Sequence, residues 1–578
     1  MNEAPARPVR LLALACDYDG TIAHHGAVDD ATVAALERVV VAGRHLLLVT
    51  GRELPDLQRS FAHLDLFERV VAENGAVLYW PSTREIKLLT EPASQPLVQA
   101  LRDRNVAPLS VGHAIVATWE PNEAAVLAAI HELGLELQVI FNKGAVMVLR
   151  SGVNKATGLA AALASMKLSA HNTIGVGDAE NDHAFLMHCE VAVAVANALP
   201  SVKEAADFVT ATDHGAGVAE LIDEWLRDDF AARASQLMRH RLTLGSASDG
   251  RELTLDPERS VILIAGSSGS GKSTAAHGIL ERLDAAGYSF CVVDPEGDYD
   301  GLSDAVSAGG GEHALHVDEA MELLKRQQNA ILNLLGLPLD DRPAFFRALM
   351  PRLHELRSRT GQPHWLVLDE AHHLFRDASP VGRHDEAPRL DRMMMITVHP
   401  NLLPASVLRG VDAMIAVGPE AMGTLREFAD AAGLALALPQ DRASLEQGQA
   451  LVWTRTDDSV TTTVALPPSQ TEHRRHIRKY AQGELPEDRN FYFRGPEDKL
   501  KLRAQNLLVF MQIADGVDDA TWMHHLRRGD YTRWFADAIK DEELAGAARA
   551  IEALPLADPA RSRRLMREAI ERLYTLPS

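Results

Sequence analysis

Leu11-Leu12-Ala13-Leu14-Ala15-Cys16-Asp17-Tyr18-Asp19-Gly20-Thr21 decides the fold of the first third of this chain. Six apolar residues stop abruptly at Asp17. The run is too short for a signal-peptide core or a membrane span and reads as a buried strand. Carboxylates at Asp17 and Asp19, two residues apart on extended backbone, point to the same side. They sit at the carboxyl end of the strand, where open α/β sheets place their ligands. Gly20 allows a sharp exit. This pattern suits attack by one carboxylate while its neighbour moves a proton.

Working outward, residues 1–225 alternate short apolar strands (Leu46–Val49, Val70–Ala72, Thr173–Val176, Val191–Val195) with helical patterns, which predicts a parallel α/β sheet. Three segments join the first at strand ends. Thr50-Gly51-Arg52 places a hydroxyl beside a glycine, Gly152-Val153-Asn154-Lys155 brings a cation just ahead of a helix, and Gly177-Asp178-Ala179-Glu180-Asn181-Asp182 is an acidic loop. Together they supply a nucleophile, a hydroxyl donor, a cation and a metal-binding carboxylate.

These four motifs, in this order, resemble a haloacid dehalogenase-superfamily phosphatase of the Cof-like class, and Ala72-Glu73-Asn74-Gly75-Ala76 matches that class ahead of its cap. The resemblance implies Asp17 as nucleophile forming an aspartyl-phosphate and Asp19 as general acid, then base. Thr50 and Lys155 would hold the phosphoryl oxygens. Mg2+ would be bound by Asp17, Asp178 and the Asp19 carbonyl, with Asn181 and Asp182 supporting Lys155 and the metal shell. A negative phosphoryl group approaching a carboxylate needs such cations to screen it. The insert at about 77–150 would be a small α+β cap, similar to that of archaeal phosphoglycolate phosphatases, and points to a small phosphorylated metabolite as substrate.

A second catalytic set follows. Gly266-Ser267-Ser268-Gly269-Ser270-Gly271-Lys272-Ser273 fits GxxxxGK[ST], follows the apolar strand Val261–Ile264 and opens a helix at Thr274. Backbone amides of such a loop cradle the phosphates of ATP. Lys272 would reach the β/γ oxygens and Ser273 would bind Mg2+. Trp365-Leu366-Val367-Leu368-Asp369-Glu370 supplies a second metal-binding carboxylate at Asp369 and, in Glu370, a group to orient or deprotonate water. That favours ATP hydrolysis over transfer to a small acceptor. Phe290–Tyr299, Met395–Pro400 and Gly448–Val452 resemble strands of the HerA/VirB4/FtsK ATPases, with Val398 where that group commonly has Gln. The resemblance implies a homo-oligomeric ring with an arginine from a neighbour, for which Arg409 and Arg442 are candidates. Neighbouring His372 and His373 are expected to point apart.

Composition bounds the rest. The chain has 578 residues, 46% hydrophobic and 24% charged, which is ordinary globular usage and implies on the order of three or four domains. Three scattered cysteines exclude a disulfide framework or thiolate zinc site and fit a reducing cytoplasm. The net charge of −22 argues against a broad nucleic-acid surface, and no apolar run is long enough to cross a membrane.

The expected organisation is a Rossmann-like α/β phosphatase domain at 1–225, a turn-rich stretch at Gly245–Gly250, a P-loop α/β domain within 226–467, and a helical region at 468–578 without clear strand pairs. His473–Lys479 is the most basic cluster and reads as a solvated linker face. Trp534 and Phe535 read as core. The leading functional reading is a Mg2+-dependent phosphatase fused to an ATPase. The alternative is a HerA-like nucleic-acid motor with an accessory phosphatase, and a third reading has ATP binding gate the phosphatase.

Overall fold

The computed structural model describes residues 11–573 apart from 143, 234–235, 238, 248, 268, 300–301, 303, 312, 376–391, 437–444, 447, 456–460, 468–489, 497–498, 540 and 555–557. Arg442 and the cluster His473–Lys479 therefore lie outside the described residues.

The opening strand, Ala13–Cys16, sits in the middle of an eight-stranded sheet. It pairs in parallel with Thr173–Gly177 on one side and His45–Val49 on the other. A strand flanked on both sides and covered on both faces has no solvent face, so its sequence is an unbroken apolar run rather than an alternation. Val191–Ala194 and Phe208–Val209 extend the sheet one way, and Arg69–Ala72, Val77–Trp80 and Glu85–Leu88 the other, the last two antiparallel. The cap is a separate body with its own apolar core. Its four-stranded antiparallel sheet runs Ser110–Val111, Val116–Trp119, Ala145–Arg150, Leu137–Asn142, and the helices Gln95–Asp103 and Glu123–Glu132 pack together beside it. Strands Val77–Trp80 and Glu85–Leu88 belong to the core sheet, so the inserted body begins later than the expected residue 77.

The P-loop strand Val261–Ala265 lies in an eleven-stranded sheet. Seven strands are parallel, from Ala413–Val417 through Val261–Ala265, Met393–Thr397, Trp365–Leu368, Phe290–Asp294 and Asn329–Asn333 to Ala305–Gly309. Four antiparallel strands, Gln449–Thr454, Thr461–Ala465, Leu242–Ala247 and Glu252–Leu255, complete it. The stretch expected as turns at Gly245–Gly250 thus begins inside a strand. Gly245 is there because a Cβ would meet the Ala465 carbonyl oxygen at 2.3 Å.

The C-terminal region is mostly helical, as expected, but Phe491–Phe493 and Leu502–Ala504 form a hairpin, which corrects the expectation of no strand pair. Its aromatic residues are core: Phe510, Trp522, Tyr531, Trp534 and Phe535 are buried together.

The two large sheets meet at their amino ends. His171 and Glu190, immediately before Thr173–Gly177 and Val191–Ala194, contact Ala286 and Tyr288, which precede Phe290–Asp294. The motif loops sit at the opposite, carboxyl ends. At about 3.3 Å per strand residue, each five-residue strand sets its own motif loop on the order of 15 Å from the contacts at the amino ends.

Candidate functional site

Asp17 follows the central strand and is buried together with Asp178, Asp182 and Lys155. Lys155 is the first residue of helix Lys155–Met166, whose Asn154 cap accepts from the Thr157 amide. Its Nζ donates to Asp17 Oδ1 at 2.6 Å and to Asp182 Oδ1 at 2.5 Å. Asp182 Oδ2 accepts from the amides of Asp178 and Ala179, both at 2.9 Å, so this side chain shapes the acidic loop as well as fixing the lysine. The Thr21 hydroxyl spans Asp17 Oδ2 (3.2 Å) and Asp178 Oδ1 (3.4 Å). One oxygen from each of Asp17, Asp178 and Asp182 lies within 4.8 Å of the others. Three buried carboxylates face one lysine, an excess of negative charge. Burial, then Asp182, push Asp17 up to about 7 against the opposing pull of Lys155. Burial works against the charge on Lys155, but Asp17 and Asp182 outweigh it and hold the ammonium well above its usual range. A hard oxygen set with surplus negative charge fits a divalent cation such as Mg2+.

Asp19 turns its side chain to Arg52, whose Nε and Nη2 donate to it at 2.6 and 2.7 Å. Arg52 also reaches Asp56 and Ser60 and lies over the Tyr18 ring. Thr50 is buried, and its hydroxyl accepts from the Arg52 amide at 3.1 Å. Asn181 hydrogen-bonds Asn74 rather than Lys155, which corrects the expected partner. Asp17, Asp178, Asp182 and Lys155 are thus brought together, while Asp19 and Thr50 are linked through Arg52.

Sequence reasoning assigned no role to Arg52, Thr21 or Glu73. Glu73 is fully buried, and its carboxylate accepts from the amides of His113 (2.9 Å), Ala114 (2.8 Å) and Ile115 (3.1 Å), the turn of a cap hairpin. It thereby pins the cap to the core beside Thr50, whose carbonyl accepts from the Asn74 amide. Gly75 is required below it, because a Cβ there would lie 1.9 Å from the Asn154 carbonyl oxygen. The Glu-Asn-Gly string was the available signal, but its partner turn lies 40 residues away.

At the second site the P-loop joins strand Val261–Ala265 to helix Lys272–Ala285, with Gly269 and Gly271 at positive φ. Gly266 is packed so closely that a Cβ would lie 2.4 Å from the Val417 carbonyl oxygen. Lys272 Nζ donates to the Ser267 carbonyl at 3.0 Å. Ser270, Ser273 and Thr274 occupy the loop and first helical turn. Asp369 ends strand Trp365–Leu368 and is buried. Met393–Thr397 lies between that strand and the P-loop strand, which puts buried Thr397 between the loop and Asp369. His372 Nδ1 lies 3.0 Å from Thr397 Oγ1 and 3.3 Å from Glu370 Oε2. Glu370 has φ +41, a strained backbone of the kind that clusters at functional sites. The rings of His372 and His373 lie 4.0 Å apart rather than diverging, as that backbone redirects the chain. Arg409 is exposed at a helix end.

Residues 14–121 and 120–222 match the haloacid dehalogenase-like hydrolase family, and residues 256–395 match an AAA domain. A phosphoglycolate phosphatase of Methanothermobacter thermautotrophicus is 30% identical over 223 residues, which are 37% of this chain and 98% of the relative. The chain belongs to the haloacid dehalogenase-like hydrolases. A second phosphoglycolate phosphatase, from Haloarcula marismortui, is 31% identical over 218 residues, 36% of this chain and 95% of that one. This hydrolase is therefore an enzyme with a phosphatase-type domain, and an AAA-type P-loop domain is fused behind it. Among the described residues, no helix is long and apolar enough to cross a membrane.

Proposed function

We propose that the chain is a Mg2+-dependent phosphomonoester hydrolase acting on a small phosphorylated metabolite, joined to a domain that binds and hydrolyses ATP. The observation that carries the reading is the buried Asp17–Lys155–Asp182 array with Asp178 beside it. Asp17 attacks phosphorus, forming the Asp17–phosphoryl bond as the bond to the substrate's leaving oxygen breaks. Asp19, held by Arg52, gives that oxygen a proton and then takes one from the water that hydrolyses the aspartyl-phosphate. Acid–base assistance of this kind is typically worth about 10²–10⁴-fold. Lys155 and Thr50 hold phosphoryl oxygens. Asp17, Asp178 and the Asp19 carbonyl would hold the cation, with Asp182 fixing the loop, and Mg2+ there supplies charge neutralisation for the transferring group. The named activity of the two archaeal relatives makes a short phosphorylated carboxylate such as phosphoglycolate the first substrate to try.

In the P-loop domain Gly266, Gly269, Ser270, Gly271, Lys272 and Thr274 would cradle the triphosphate, Ser273 and Asp369 would hold Mg2+, and Glu370 would orient water. The strand carrying Thr397 between loop and Asp369 supports kinship with HerA-like motors. The net charge of −22 counts against nucleic acid as the habitual partner. Three buried free cysteines suit a cytoplasmic protein.

The test is a pair of variants. Asp17→Asn abolishes Mg2+-dependent phosphate release from small phosphomonoesters and leaves ATP hydrolysis intact, and Lys272→Ala does the reverse. Loss of both activities in either variant would show that the two sites are not independent. ATPase activity that rises with added DNA at low salt would favour the motor.

A further inference from the structure

We propose that the joint between the two domains is a zinc-type cation site built from His171, Glu190 and His240. This goes beyond the reading of either catalytic end and does not depend on it. His171 and Glu190 precede adjacent strands of the first sheet, so their side chains meet at its amino edge. His240 lies on the segment that leads into the P-loop sheet at Leu242. That segment is anchored by Arg239, whose guanidinium donates to the carbonyls of Cys189 (2.6 Å) and Met187 (3.0 Å) and to Asp207 Oδ2 (3.1 Å). One ligand atom from each of His171, Glu190 and His240 lies within 4.8 Å of the other two.

The hydrogen-bond chemistry asks for a positive charge between these groups. His171 Nε2 lies 2.8 Å from the Ala286 carbonyl oxygen, which can only accept, so Nε2 carries the ring hydrogen. Nδ1 then faces Glu190 Oε2 at 2.8 Å. A lone pair facing a carboxylate oxygen at that distance is repulsive unless a proton lies between them or a cation to one side binds both. Tyr288 OH donates to the same Glu190 oxygen at 3.1 Å, and its ring stacks on His171 at 3.8 Å. His240 Nε2 also faces a backbone carbonyl, that of Cys189, at 3.3 Å. Metal-bound histidines are anchored in this way, the N–H tied to a carbonyl and the other nitrogen left to the ion.

Two imidazoles and one carboxylate form a mixed N/O set of three protein ligands. That set suits Zn2+, with a fourth position left over, whereas Mg2+ prefers oxygen alone. An ion there would fasten the inter-domain segment to the phosphatase sheet directly beneath Tyr288 of the P-loop domain.

The experiment uses the full chain carrying Asp178→Asn and Asp369→Asn, each of which takes a carboxylate from an expected Mg2+ site. The protein is stripped with a chelator, then loaded with Zn2+ or Co2+ alone and dialysed. The expected result is one equivalent of retained metal, a higher melting temperature with Zn2+, and the visible absorption of low-coordinate Co2+. Adding His240→Ala abolishes retention. Tyr288→Phe, which removes only the hydroxyl on Glu190, weakens binding by about 10–100-fold. Circular dichroism confirms that each variant is folded. No retained metal in the folded parent would overturn the proposal and leave a proton between His171 and Glu190. Retention unchanged by His240→Ala would overturn it by placing the ion elsewhere.

Discussion

Replacing Lys155 with methionine tests the core of the catalytic array. The ammonium lies 2.6 Å from Asp17 and 2.5 Å from Asp182, and all three groups are buried. Methionine keeps much of the volume but removes the cation, so three carboxylates remain in a dry site with no lysine. Breaking a buried pair by removing one partner costs about 3–5 kcal/mol. The metal-free variant should therefore melt well below the parent. Mg2+ should recover part of that loss, because it neutralises the same charges. Loss of one preorganised group facing the transition-state charge costs about 10²–10³ in kcat, or about 2.7–4 kcal/mol. Adding Asp182→Asn removes one of the uncompensated carboxylates, so stability should return in part while activity does not. The assays are thermal unfolding with and without Mg2+, and phosphate release at saturating Mg2+ and substrate. A Lys155→Met protein whose kcat stays within about threefold of the parent would refute the assignment of Lys155 to the phosphoryl oxygens.

Three further outcomes follow from the same geometry. Asp17 is raised from 3.8 to about 7, so the folded state holds its proton more tightly than the unfolded chain, and metal-free stability falls as pH rises from about 4 through 7. Mg2+ displaces that proton, so the gain in melting temperature on adding Mg2+ should be larger at pH 8 than at pH 5.5; equal gains would contradict the carboxylate assignment. Arg52→Lys keeps the charge but loses the two-pronged grip on Asp19, and kcat should drop by about tenfold or more while the melting temperature barely moves. An unchanged kcat would mean that Arg52 does not position the proton donor. Glu73→Gln turns an acceptor of three amides into a group with N–H donors of its own, at a cost of about 1–3 kcal/mol in stability. KM for small phosphomonoesters should rise as the cap turn at His113–Ile115 loosens, and an unaltered KM would separate that turn from substrate binding.

The placement of Asp17, Asp178, the P-loop and Asp369 at strand ends, and of Lys155 at a helix start, was legible because each is declared by a short local string, and local pattern is what sequence carries best. Arg52, Thr21 and Glu73 are chemically unremarkable on the chain, and their partners are set only when distant segments meet: Glu73 with a turn 40 residues on, Thr21 with Asp178. The Gly245 strand was hidden because glycine usually marks a turn, whereas here a neighbouring carbonyl demands it. The Phe491–Phe493 strand is three residues long and surrounded by helical periodicity, too short for its own alternation to register. The start of the cap was misplaced because Val77–Trp80 and Glu85–Leu88 are antiparallel strands at one side of the core sheet, which carry no signature to separate them from cap strands.

The joint at the amino ends of the two sheets constrains how the sites can cooperate. The strands and the joint give coupling between the two domains a physical route. The contacts there include His171 with Ala286, Tyr288 with Glu190, Gln327 with the Lys167 carbonyl, and Arg239 holding the connecting segment. Strand Phe290–Asp294 runs from Tyr288 at the joint to Asp294, whose carboxylate accepts from the amides of Gly297 and Tyr299. On the other side, strand Thr173–Gly177 runs from His171 to Asp178. A shift of the His171–Tyr288 stack would therefore be felt at the base of a strand that leads to Asp178, beside Asp17 and Asp182. The histidine-rich joint is therefore a place where the state of one domain could be reported to the other.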